Sequence, residues 1–162
     1  MQMKGSRYNM TWLISPKVEG NELSWLTEEG SLTERLKKEF DEVKVEIVYE
    51  GVYLLDKTFY TREVILKSND KPRVFARTLV KEDDLLQAWS SLKNLGDQSL
   101  ATILFNSAEI KKISVFYKEL FLDDSLFMYV SSISPTHKKS LWARKSSWEK
   151  QGAHLDLIEI FL

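Results

Sequence analysis

Apolar residues change their spacing several times along the chain, and each change marks an element. Residues 21–40 read as a helix in two pieces: Leu23, Trp25 and Leu26 come before Gly30, and Leu32, Leu36 and Phe40 after it. Ser31-Leu-Thr-Glu34 reads as a capping box, with Ser31 as N-cap, Glu34 reaching back and Leu32 as the first helical residue. From Val43 the period becomes two, with Val43, Val45, Ile47 and Tyr49 on one side of a strand and a bend or bulge at Glu50-Gly51. Residues 60–66 and 73–80 are two further strands, and Ser68-Asn-Asp-Lys-Pro72 between them predicts a hairpin.

The second half alternates in the same way. Residues 83–94 predict one helix, with Leu85, Leu86, Trp89 and Leu92 on its apolar face and Gly96 ending it. Ser99 is placed to cap a helix or helical turn over 100–105, with Leu100 at its first position. Residues 108–121 read as a strand followed by a short helix, and 120–139 show neither period. Residues 141–148 and 154–162 form a last hairpin about Glu149-Lys-Gln-Gly152. Leu155, Leu157, Glu159 and Phe161 share one face of its second strand. The sum is an α+β fold: one domain over 1–162 with a largely antiparallel sheet and helices packed mainly on one face.

Composition narrows the chemistry. The chain has 162 residues and 43% apolar residues, enough for a core, and its 23 basic and 24 acidic side chains nearly cancel. A chain-wide basic surface for nucleic acid is therefore not expected. Zero Cys excludes disulfides, thiol nucleophiles and Cys-ligated metals, and two distant His make a multi-His metal site improbable, so no metal is expected. The apolar patch at 10–14 is too short for a signal-peptide core, and no stretch spans a bilayer, so a soluble, cytoplasmic protein is expected. No P-loop, dinucleotide fingerprint or nucleophile elbow is present.

Glu159 is the sharpest single signal. Facing inward among Leu and Phe, it would lose hydration and gain affinity for protons, which suits a hydrogen-bond donor or an acid/base group. If Ile158, Ile160 and Leu162 point inward instead, Glu159 is a surface residue. Arg62 shares a strand face with Val64 and Leu66. Facing inward it needs an anion, such as a ligand carboxylate; facing outward it pairs with a neighbouring carboxylate. Arg77 either adds positive potential beside Arg62 or pairs with Glu63. Leu32 and Leu100 matter for their main chains, because N–H groups at helix starts lack intrahelical partners and can meet anions.

Taken together these segments resemble the bacterial chorismate pyruvate-lyase (4-hydroxybenzoate synthase) family from about Trp25 to Leu162. The resemblance rests on Glu29-Gly-Ser-Leu-Thr-Glu-Arg-Leu36, Tyr60-Thr-Arg-Glu-Val-Ile-Leu66, Ala76-Arg-Thr-Leu-Val80, Leu95-Gly-Asp-Gln-Ser-Leu-Ala-Thr-Ile-Leu-Phe105, Leu141-Trp-Ala-Arg-Lys-Ser146 and Leu157-Ile-Glu-Ile-Phe-Leu162. It implies an enclosed ligand pocket and a cofactor-independent carbon–oxygen lyase, which turns chorismate into 4-hydroxybenzoate and pyruvate, for ubiquinone biosynthesis. Arg62, Glu159, Leu32 and Leu100 match the family's product contacts, and Arg77 matches a position near the pocket. Arg62 and Glu159 are then the catalytic candidates, and all five are substrate-binding candidates. The family more often has Met at Leu32, the connection from Gly51 to Arg62 is shorter here, and the region between Phe105 and Leu141 is longer.

A monomer that acts on small molecules, without nucleic acid or membrane insertion, is expected. The alternative is a non-catalytic sensing domain of the same fold for an aromatic carboxylate. Such domains normally follow a DNA-binding domain, and little chain precedes the first predicted helix here.

Overall fold

The computed structural model describes residues 12–52 and 57–162. Met10 and Thr11 of the short apolar patch, and residues 53–56 in the connection to the first hairpin, lie outside the described residues. In chain order the elements are α1 (Gly20–Leu26), α2 (Leu32–Phe40), β1 (Lys44–Val52), β2 (Phe59–Ser68), β3 (Lys71–Lys81), α3 (Glu82–Leu85), a 3-10 turn (Ser90–Asn94), α4 (Ala101–Leu104), β4 (Ile110–Phe121), α5 (Ser125–Ile133), β5 (Ser140–Lys150) and β6 (Ala153–Phe161). The strands form one six-stranded sheet in the order β1-β2-β3-β6-β5-β4, with every neighbouring pair antiparallel. Among the described residues no helix is long and apolar enough to cross a membrane.

Two tight turns set the register. Asn69 and Asp70 both have positive φ, as do Gln151 and Gly152, the backbone that a two-residue hairpin turn requires. The first turn places Val64 opposite Ala76, and β3 then places Ala76 opposite Glu159. The second places Arg144 of β5 opposite Glu159 of β6. Because side chains alternate, Arg62, Val64, Ala76, Arg144, Leu157 and Glu159 all project from one face.

Helices cover that face mainly from one side, as expected. Leu32 and Leu36 of α2 pack on Val64, Leu66 and Val74. Leu85, Trp89, Leu92, Leu100 and Leu104 pack on Tyr60, Val80, Trp148 and Leu157. The other face has α5, whose Phe127 and Val130 meet Ile65, Phe75, Leu141 and Ile160. With both faces covered, every residue from Tyr60 to Leu66 is buried, including Arg62 and Glu63.

Four expectations need correction. The helix over 83–94 is instead α3, a turn and a 3-10 turn. Asp84 O accepts from both Gln87 N and Trp89 N, while Leu92 N returns to Trp89 O. Ser90 and Ser91 favour local turns over continuous helix. The docking of fully buried Trp89, whose Nε1 donates to Ala153 O at 3.2 Å, decides the path. Leu86, assigned to the apolar face, is 65% exposed. Residues 108–121 contain no helix; β4 runs to Phe121, and a register shift between Lys112 and Ser114 breaks its alternation, which imitates a helical period. The bulge in β1 lies between Ile47 and Tyr49, not at Glu50-Gly51. The unassigned stretch 120–139 contains α5, capped by Asp124 Oδ1, which accepts from Leu126 N at 2.8 Å.

A polar cluster, buried at Glu63 and open to water at Tyr129, fastens α5 to the sheet. Glu63 is 3% exposed. Its Oε2 accepts from Arg77 Nε at 2.7 Å, and its Oε1 accepts from the Tyr129 hydroxyl. Burial and that bond push the Tyr129 hydroxyl up to about 12. The neutral phenol's contribution to stability is therefore fully present below its unfolded value of about 10 and is lost as pH rises through about 12. Tyr129→Phe should cost about 1 kcal/mol, because Glu63 keeps Arg77 but loses one donor. Melting curves from pH 8 upward should show wild type and variant converging in the alkaline range. A constant gap would mean that the hydroxyl is not the source.

Candidate active site

The cavity on the helix-covered face lies where α2 and α4 begin above the middle of the sheet. Its sheet side is Val64, Ala76, Leu157, Ser146, Arg144 and Glu159, and its helix side includes Leu32, Thr33, Ser99 and Leu100. About 60 Å³ is reachable by the centres of water molecules. That is room for roughly four or five waters, the scale of one substituted six-membered ring. Ala76 helps to keep this space open, since a larger side chain opposite Glu159 would grow into it.

Glu159 faces inward and is 8% exposed. It is not an isolated carboxyl. Arg144, 7% exposed, donates to Oε1 from Nε at 2.9 Å, and its Nη2 lies 2.8 Å from the same oxygen. Arg144 Nη1 also donates to Leu26 O at 3.0 Å and Glu28 O at 2.8 Å, two carbonyls at and just beyond the end of α1. The pair thus ties the β5–β6 hairpin to the segment leading into α2. No hydrogen bond falls on Glu159 Oε2 among the described residues, which leaves that oxygen for a ligand.

The two helix starts form the opposite wall. Ser31 Oγ accepts from Glu34 N at 3.2 Å, as the capping box predicts, while the Glu34 carboxylate turns to Lys37 at 3.5 Å instead of reaching back. Leu32 and Thr33 precede the first intrahelical donor, Arg35 N, which bonds Ser31 O at 3.1 Å. Ser99 Oγ accepts from Ala101 N at 3.2 Å, and Leu100 is the N-cap of the single-turn α4, one residue before the first helical position expected for it. A hydrogen bond of 2.6 Å between Thr33 Oγ1 and Ser99 Oγ joins the two starts.

Arg62 shares this sheet face and is 1% exposed. It does not line the cavity as Glu159 does. Its Nη2 donates to Gly96 O at 3.1 Å and Gln98 O at 2.8 Å, holding the segment that carries Ser99 and Leu100. Its Nε is buried without a partner among the described residues. Burial lowers the guanidinium's pKa, and the charges of Glu50, opposite it on β1, and Tyr60 act in the other direction. Arg77 is on the opposite sheet face, paired to Glu63. The parity that turns Arg62 toward the helices turns Arg77 away, so the structure does not bring it to the cavity.

Two cavity cations escaped the sequence reading. Arg144 was legible in principle: with the turn narrowed to Gln151-Gly152, counting back along both strands pairs it with Glu159. Lys112 reaches the mouth from β4 and had no such signal, because the neighbouring bulge hides its face. Burial and nearby Arg144 lower its pKa, while Glu159 and Glu29 oppose them. Among the described residues no three His, Cys, Asp or Glu side chains converge on a metal position.

The architecture defines a class of α+β domain with one antiparallel sheet and a cavity under its helices. The crystal structure of PhnF from Mycobacterium smegmatis has this fold, with a TM-score of 0.60 at 11% identity over 83% of this chain and 64% of that one. Its effector domain alone gives 0.59 at 12% identity, over 82% and 88%. The chain belongs to the chorismate lyase family, whose model matches residues 7–162. A probable chorismate pyruvate-lyase of Nitrosomonas europaea is 31% identical over 150 residues, 85% of this chain and 84% of the relative. Another from Nitrosospira multiformis is 30% identical over 162 residues, covering 92% and 88%. A chorismate pyruvate-lyase of Hamiltonella defensa is 27% identical, covering 85% and 75%.

Proposed function

We propose that this protein is a chorismate pyruvate-lyase. One observation carries the reading within this family: a ring-sized cavity with the Glu159–Arg144 pair on one wall and the Leu32 and Leu100 helix starts on the other. Chorismate is a six-membered carbocycle with a ring carboxylate at one end and a hydroxyl at C4 opposite. The ring carboxylate is placed at the helix starts, where main-chain N–H groups supply donors and the buried Arg62 guanidinium, which holds the Gly96 and Gln98 carbonyls behind them, adds positive charge. The C4 hydroxyl then meets Glu159 Oε2, while Arg144 holds the carboxylate in place.

In that pose little covalent help is required. The hydrogen on C4 passes to the methylene of the enolpyruvyl group as the C3–O bond breaks. The ether carbon becomes the ketone of pyruvate, and the ring gains the double bond that makes it aromatic. Every atom of chorismate is accounted for, and aromatisation drives the step. The protein's contribution is to hold the enolpyruvyl group over C4 in a space too small for bulk water. Supply of 4-hydroxybenzoate for ubiquinone is the corresponding pathway role, and it rests on the family resemblance.

The test is direct. Purified protein incubated with chorismate should release 4-hydroxybenzoate and pyruvate in equal amounts. Glu159→Gln keeps an oxygen for Arg144, so the fold should persist while kcat falls about 10- to 100-fold. Absence of product together with a rise in melting temperature on adding 4-hydroxybenzoate would instead make the domain a sensor, as the likeness to the PhnF effector domain allows.

A further inference from the structure

Resting on the lyase reading, the geometry points to a further specificity residue: Lys112, at the mouth of the cavity, binds the enolpyruvyl carboxylate and so separates chorismate from its aromatic product. The substrate's chemistry demands a second cation. Chorismate carries two carboxylates, and 4-hydroxybenzoate retains one. The Arg144–Glu159 pair is internally neutral, and Arg62 Nη2 is committed to two carbonyls. Arg77, a candidate from its place in the sequence, is neutralised by Glu63 on the other face.

Lys112 meets the requirement. It lines the same cavity as Arg144 and Glu159, and among the described residues it has no ion pair. Its register partner on β5 is Trp148, another cavity residue, and its Nζ stands 5.3 Å from the Trp148 ring centroid. That ring gives the flexible stem a preferred direction without occupying its hydrogen-bond donors. Strand alternation turns Lys111 and Lys112 to opposite faces, and only Lys112 borders the cavity.

The experiment measures chorismate KM and 4-hydroxybenzoate Kd for wild type, Lys112→Ala, Lys112→Arg and Lys111→Ala. Lys112→Ala should raise KM for chorismate about tenfold, the scale of one charge-assisted hydrogen bond at a partly exposed site. Its Kd for 4-hydroxybenzoate should stay within about twofold of wild type, since the product lacks the second carboxylate. Lys112→Arg should recover most of the loss, and Lys111→Ala, which removes the same charge one residue away, should behave as wild type. An unchanged KM in Lys112→Ala overturns the assignment. So does an equal rise in Lys111→Ala, which would mark a general field effect, or an equal loss of 4-hydroxybenzoate affinity, which would place Lys112 on the ring. Wild-type protein inert toward chorismate would instead defeat the lyase reading itself and this inference with it.

Discussion

Arg144→Ala should lower unfolding stability by about 3 kcal/mol and abolish turnover. Removing one partner of a buried ion pair leaves the other uncompensated, a loss of about 3–5 kcal/mol, and the cavity's contact with water favours the lower end. The remaining partner is Glu159, which is 8% exposed among Leu157, Ala76 and Ser146. The same substitution frees the carbonyls of Leu26 and Glu28, so the segment entering α2 loses its tie to β5. Against a typical total of about 5–15 kcal/mol this is a large fraction, visible in urea or thermal unfolding. The double variant Arg144→Met with Glu159→Leu separates structure from chemistry. It replaces a charged pair by apolar side chains, so much of the lost stability should return while turnover does not. A stable and active double variant would remove the pair from the mechanism.

Arg62→Ala should reduce kcat/KM by about 100- to 1000-fold, the loss expected when the helix start that receives the ring carboxylate loses both its positioning and a nearby charge. The side chain serves twice. Its Nη2 holds Gly96 and Gln98, and through them the start of α4, while its charge favours an anion at the helix starts. Lysine should not restore activity, because one ammonium on a flexible stem cannot hold the two carbonyls in a fixed fork. Steady-state kinetics on variants shown folded by circular dichroism provide the check. Wild-type turnover in Arg62→Ala would remove the residue from the site.

The hairpins and the capped start of α2 at Leu32 were legible because short-range chemistry encodes them, and the start of α4 was placed within one residue, at Leu100 instead of Ala101. Asn69-Asp70 and Gln151-Gly152 accept positive φ, and Ser31 and Ser99 supply cap oxygens regardless of what packs nearby. Once the register is known, the inward direction of Glu159 and Arg62 follows. The segment 83–94 was misread because an apolar spacing of three and four residues suits both a continuous helix and a chain that bends to seat Trp89. β4 was misread because one extra residue at its bulge shifts the phase of everything after it. Helix α5 was hidden because apolar residues occur on all its sides: Phe127 and Val130 are buried while Met128 and Tyr129 are exposed.

Local order along the chain was thus enough for α1, α2, the two tight turns and the parity of the strands they join, since each depends on backbone preferences within a few residues. Partnership across the sheet was not. That Glu159 meets Arg144, that Arg77 turns to Glu63 and Tyr129, and that Lys112 reaches the cavity are results of register, bulge position and the order in which six strands lie side by side. Charges far apart in sequence acquire their partners only when burial removes water as the alternative, so those pairings belong to the assembled molecule.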